Sequence, residues 1–329
     1  MRRTGCTAAI VVLMATACSG TSSPSPVTLT GRPPGPPSAA LTAAVAPAVV
    51  SDYSRRNNAV LAKLSTTYSD HAWDGVDTGP LLAGDRFDSA VTRAVSGHAA
   101  PLGLTLTAGE TWANGFVTYP VWAIARVTAT FVPPPDYWVP TDLLLVIRRE
   151  SFTSPWETEM LAPVEAVPHS SDDKPGTTTG DDLSRARTTR VAIARYLETG
   201  DLPDVYVTPF LSQTRTQFSQ PQPGERARSA SCRPYPVGPP SSSLPETLRV
   251  VRSASGVLAL TTLLCTETRT SSPGHPLTRP PGFAAALGVA DGPAAVLTQD
   301  YAVTVAVSRP TRGRAIVVGT DVHPVRPPG

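Results

Sequence analysis

Twice along this chain a helix-patterned stretch gives way to strands with alternating apolar residues, and a polar segment, PHSSDDKPGTTTGDD at 168–182, lies between the two runs. That order constrains the fold more than any other feature. An amphipathic helix must cover its apolar stripe, and the strands that follow it offer the nearest apolar face. The expected class is therefore α+β, as two tandem domains of helices on a curved antiparallel sheet, over residues 38–167 and 183–329 with 168–182 as linker. In the first, a helix is expected within residues 40–68, carrying Val45, Val49, Tyr53, Val60, Leu61 and Leu64 and broken or kinked at Pro47. GDRFDSAVTRAV reads as a second helix with Asp85 near its start, and strands are expected at 121–131, 141–148 and 156–164.

The second half repeats the plan. A helix over 184–199 ends at Gly200, with Val191, Ala194, Tyr196 and Leu197 on its apolar side. A Pro-rich loop around Cys232 precedes strands at 248–252, 257–268, 296–308 and 314–325. In YAVTVAVS, Tyr301, Val303, Val305 and Val307 share one face. The closing hairpins of the two halves correspond in pattern and order with few identities, as an ancient duplication would leave them.

The chain opens MRRTGCTAAIVVLMATACSGTSSPSP. Arg2 and Arg3, then the apolar run AAIVVLM, then small residues, follow the plan of a bacterial export signal over residues 1–17. The run is shorter than the ~20 residues a spanning helix takes. Ala15-Thr16-Ala17 fits ordinary signal cleavage, which would leave a secreted protein. Ala17-Cys18-Ser19 looks like a bacterial lipobox, with Ala15 where leucine is commoner, and this is the favoured reading: Cys18 carries a diacylglycerol. A doubly acylated cysteine anchors stably. Residues 18–37, with six prolines, read as the tether, reaching ~60 Å if fully extended. The expected location is the outer face of the cytoplasmic membrane.

Removing residues 1–17 deletes two arginines and no acid, leaving 26 basic and 26 acidic residues. With no net charge and no basic stripe, nucleic acid is not an expected partner. Cys232 and Cys265 remain in the body, and an even pair in an oxidising compartment reads as a disulfide. Closing that loop is worth ~3 kcal/mol in the chain-entropy view.

RYLETGDLPDVYVTPFLS resembles the helix-turn-helix opening of NTF2-like domains, which build a cone from helices and a curved sheet. DYSRRNNAVLAKLS, WDGVDTGPLLAGDRFD and TYPVWAIA resemble the tandem-domain envelope lipoproteins of actinobacteria whose role is uncharacterised. The resemblance implies a location and a fold, and no activity.

Motifs that suggest chemistry are each better read as structure. Asp77-Thr78-Gly79 spells the aspartic-protease triplet, but that chemistry needs two such loops. Only Thr320-Asp321-Val322 offers a parallel, in the wrong order, so the triplet reads as a turn. Ser171 and Lys174 have the S-x-x-K spacing but fall in the linker. The five histidines show no metal-ligand spacing, and neither a metal nor another cofactor is expected. All five tryptophans lie in the first half. They read as core, or as the lining of a pocket in which Trp73 and Trp122 supply the walls and Asp77 or Arg126 the polarity. No catalytic residue is assigned. The expected function is an anchored, non-enzymatic binding or scaffolding protein whose partner is an envelope protein or a small molecule. The alternative is a binding protein or enzyme using the first-half pocket.

Overall fold

The computed structural model describes residues 41, 44–69, 71–96, 103–113, 119–134, 140–164, 177–201, 204–236, 246–253 and 256–326. Residues 1–40, including Cys18, and most of the polar segment at 168–176 lie outside the described residues.

Helix α1 spans Ala46–Leu64. Pro47 does not break it but stands in its first turn, where a missing N–H costs nothing. Helix α2, Gly79–Ser96, begins well before the expected segment. Strands β1 (Gly103–Ala113), β2 (Val121–Val132), β3 (Asp142–Arg149) and β4 (Glu157–Pro163) form an antiparallel sheet in sequence order. β2 and β3 are buried on both faces. Ala123, Ala125, Val127, Leu143, Leu145 and Ile147 pack under α1. Their alternates, Trp122, Ile124, Leu144 and Val146, face the other way.

β1 is an edge strand, and α1 covers it with polar side chains. Asn58 Nδ2 donates to the Leu104 carbonyl at 2.9 Å and Asn58 Oδ1 accepts from the Leu104 N–H at 2.8 Å. Ser54 Oγ accepts from the Leu106 N–H at 3.0 Å. Edge groups that would otherwise template a foreign strand are thereby satisfied.

In the second half α3 runs Gly180–Thr199. It starts inside the expected linker because Thr179 and Asp182 close a capping box. Gly200 caps the other end at φ 89°. Ile193 and Leu197 are its buried apolar residues, while Val191 points to solvent. After β5 (Val205–Tyr206) and α4 (Pro209–Ser219) come β6 (Glu225–Pro234), β7 (Leu248–Ser253) and β8 (Gly256–Ser271). The short α5 (Phe283–Leu287), β9 (Val296–Pro310) and β10 (Ala315–Val325) complete the chain. The expected loop around Cys232 is therefore a strand. The sheet order is β5-β10-β9-β8-β6, with β7 also on β8 and only β5 parallel to its neighbour. Val303, Val305 and Val307 pack with Ile193, Leu197, Leu211 and Phe218 beneath α3 and α4.

The two sheets meet by their remaining faces. Trp112, Trp122, Ile124, Leu144, Met160 and Ala162 from the first interdigitate with Val251, Leu258, Leu260, Ala306 and Val318 from the second. The layers run α1, first sheet, second sheet, α3 with α4. At the seam a β-bridge joins Val164 to Gly319. A β-carbon on Gly319 would sit 2.3 Å from the Pro163 carbonyl oxygen, so the approach requires glycine. The chain is an α+β fold whose halves share one interior.

Candidate functional site

Where the halves meet, apolar packing gives way to ionisable groups. The turn containing Asp77 hydrogen-bonds to β4: the Thr78 N–H donates to the Thr158 carbonyl at 2.9 Å, and the Thr158 N–H donates to the Val76 carbonyl at 3.1 Å. This fixes Asp77, 1% exposed, under α1, where the Tyr53 hydroxyl donates to its Oδ1 at 2.9 Å. The other oxygen, Oδ2, has no donor unless a proton lies between it and the carboxyl of Asp85, its neighbour on α2. Burial and the like charge of Asp85 push Asp77 well above the carboxylate range. Burial pushes Asp85 up to about 7, against the attraction of His323.

His323, on β10, faces Asp85 across the seam. Its Nε2 lies 2.8 Å from Asp321 Oδ2 and its Nδ1 lies 3.3 Å from Asp88 Oδ2. Burial alone would lower its pKa, but Asp321 and Asp88 together hold it well above the ordinary imidazole value. The protonated ring therefore donates from both nitrogens. α2 comes this close to β10 because Gly84 lacks a side chain: a β-carbon there would stand 2.9 Å from the His323 β-carbon. Nearby, Arg249 on β7 grips Glu159 on β4, Nε to Oε2 at 2.8 Å and Nη2 to Oε1 at 2.5 Å. Both residues are buried, and the guanidinium lies 5.9 Å from the Trp122 ring centroid.

The four residues expected to line one pocket do not come together. Trp73 packs under α1 and donates from Nε1 to Ser89 Oγ at 2.9 Å. Trp122 is on the opposite face of the first sheet, in the interior between the sheets. Arg126 is half-buried and paired with Asp142 Oδ2 at 3.0 Å. Asp77 is held as described, facing Tyr53 and Asp85. Strand alternation is the reason: Trp122 and Arg126 share a side of β2 that Trp73 cannot reach. Sequence reasoning placed Asp85 on a helix without giving it a role, and missed Asp88, Asp321 and His323. Only the two acids on one helical stretch, Asp85 and Asp88, following Asp77 in the turn before it, hinted at the cluster; its histidine is 235 residues from Asp88.

Cys232 and Cys265 form the expected disulfide, across directly paired positions of β6 and β8. Among the described residues no three His, Cys, Asp or Glu side chains are placed to hold a metal ion, and no helix is long and apolar enough to cross a membrane.

A cleft does open elsewhere, in the second half. It has a volume of about 80 Å³ and lies between α3 and the strands β7, β8 and β9. Its floor is apolar and its rim carries Arg185, Arg190, Arg252 and Arg309, with Asp182 the acidic residue lining it. No protein-family model matches the chain, and no curated protein matches it.

Proposed function

We propose that the chain is a lipid-anchored protein on the outer face of a bacterial cytoplasmic membrane, with a binding or scaffolding role and no catalysis of its own. The observation that carries the location is the Cys232–Cys265 bridge, set between paired strands, because such bonds persist where the surroundings are oxidising. It agrees with the export signal and with Cys18 at the expected lipidation point. The helix pair α3 and α4 over a curved sheet supports the cone-shaped, NTF2-like reading of the second half.

The titratable groups of the seam support a role without catalysis. Asp77, Asp85 and His323 are each turned onto a partner within the seam, where they join the halves. A general acid or base needs an open side toward a reacting atom. A small-molecule role is favoured at one place, the arginine-rimmed cleft, rather than in the first half.

The test is fractionation of the producing cells with mass measurement of the N-terminal peptide. Wild-type protein is expected in the membrane fraction, with Cys18 heavier by a diacylglycerol. Cys18→Ala is expected to leave the membrane. Unlipidated wild-type protein in the medium would make the chain a secreted one and end the anchored reading.

A further inference from the structure

The cleft of the second half has the composition of an anion site. Leu248, Ala259 and Val307 form its floor and belong to the packed interior, so the floor is rigid. The rim holds four guanidinium groups against the single carboxylate of Asp182. That carboxylate is already committed. It accepts from the Thr179 N–H at 2.9 Å and from Arg252 Nε at 2.8 Å, which holds it down at about 2. Asp182 and Arg252 therefore cancel, Arg190 shares Glu246 with Arg187, and Arg185 and Arg309 remain without a carboxylate among the described residues.

Arg185, Arg190 and Arg309 each have donors to spare. Arg190, 7% exposed, reaches Glu246 Oε2 at 3.0 Å through Nη2, while its Nε and Nη1 have no hydrogen-bond partner among the described residues. Buried guanidinium donors left open are costly, and an oxyanion is the group that satisfies them best. Arg309 is half-buried and donates to Thr189 Oγ1 at 3.3 Å, a long bond to a neutral group, with no carboxylate partner among the described residues. Arg185 is exposed on the α3 side of the cleft and likewise pairs with no carboxylate among the described residues.

We propose that this cleft binds a small amphipathic acid, with its oxyanion head on Arg309 and Arg190 and its apolar body on the floor. Fixed positive charge above a dry apolar surface recognises both parts at once. A volume of about 80 Å³ limits the enclosed body to a few carbons. The head is a carboxylate or a phosphate monoester, which share the planar or forked oxygens that a guanidinium grips. The inference does not depend on the lipid anchor and stands whether or not Cys18 is acylated.

The experiment is ligand-observed NMR titration of the purified full chain with butyrate and with butyl phosphate. Butylamine, which has the same body and the opposite charge, and inorganic phosphate, which has no body, serve as comparisons. At least one of the two butyl acids is expected to bind at least tenfold more tightly than both comparisons. The stronger of the two butyl acids identifies the head. Arg309→Ala is expected to weaken it by tenfold or more, and exposed Arg185→Ala by a few fold with the fold intact. Arg312→Ala, outside the cleft, is expected to leave it unchanged. Butylamine or inorganic phosphate equal to the stronger of the two butyl acids, affinity unmoved in both Arg309→Ala and Arg185→Ala, or no binding of either acid would each overturn the proposal.

Discussion

At the scale of single residues, the seam stores protons. Asp85 keeps its proton up to about 7 in the folded chain, against an ordinary value of 3.8. Between those values the folded state binds more protons than the unfolded one, so stability falls as pH rises through that window. His323 acts in the same direction for the opposite reason. Its raised value means that its stabilisation is whole below the ordinary 6.5 and drains away as pH climbs through the folded value. The groups facing this cluster are Tyr53 and Arg56 from α1, Asp77 from its turn, Asp88 from α2 and Asp321 from β10. The expected outcome is a melting temperature several degrees higher at pH 5 than at pH 8. Asp85→Asn keeps an oxygen able to accept from the protonated Asp77 carboxyl without the charge. It is expected to flatten the profile and to match or exceed the wild type at pH 8. A wild-type profile flat from pH 5 to pH 8, measured by thermal melting, would show that the cluster does not hold these protons in the folded chain.

At the scale of elements, close approaches decide which packing is possible. β4 reaches β10 at Gly319, and any side chain there must push the Pro163 carbonyl away. Gly319→Ala is expected to cost about 1–3 kcal/mol in urea unfolding, as overpacking does, whereas Gly292→Ala, with open space around it, should cost under about 0.5 kcal/mol. The pairing of β6 with β8 is reinforced by the disulfide, which closes a separation of 33 residues. Replacing both cysteines by alanine is expected to remove about 3–4 kcal/mol, and reductant should then have no further effect on the melting temperature. The strands that could be read in advance were those with alternating or continuous apolar residues, β2, β3, β4 and β7 to β10. β1 and β6 could not. ERARSASCRP buries little on either face and GLTLTAGETWA fully buries only Leu106 and Trp112, because each is an edge strand whose pairing comes from the backbone and its neighbour. The start of α3 was hidden for a similar reason. The capping box that sets it lies in a segment whose composition is that of a loop. Of the site, Asp77 was visible as a motif, but its meaning depended on Asp85 and on the sheet seam, and face-to-face packing of two sheets leaves no local pattern in a sequence.

At the scale of the whole molecule, the question is whether two halves with one interior behave as one unit. Their shared surface is apolar around Trp122 and Leu260, and it also carries the buried Arg249–Glu159 pair. Removing Arg249 leaves the Glu159 carboxylate with the longer contact to Arg148 Nη1 at 3.4 Å, so part of the charge stays compensated and Arg249→Ala is expected to cost about 2–3 kcal/mol, below the ~3–5 kcal/mol of a fully broken pair. Arg249→Met with Glu159→Leu should recover part of that loss, because it removes the under-paired carboxylate while Arg148 keeps Glu150 as its partner. The tryptophans make the cooperativity measurable. All five precede residue 157, so their fluorescence reports the first half, while far-UV circular dichroism weighs both halves. In urea the two signals are expected to coincide for the wild type, since neither sheet can expose its inner face without the other. In Arg249→Ala the seam is the weakened element, and the fluorescence transition should separate from the dichroism transition. Coincident curves in the wild type and separated curves in the variant would tie the cooperativity of the molecule to its seam. Separated curves in the wild type would mean that each half holds its own core without the other.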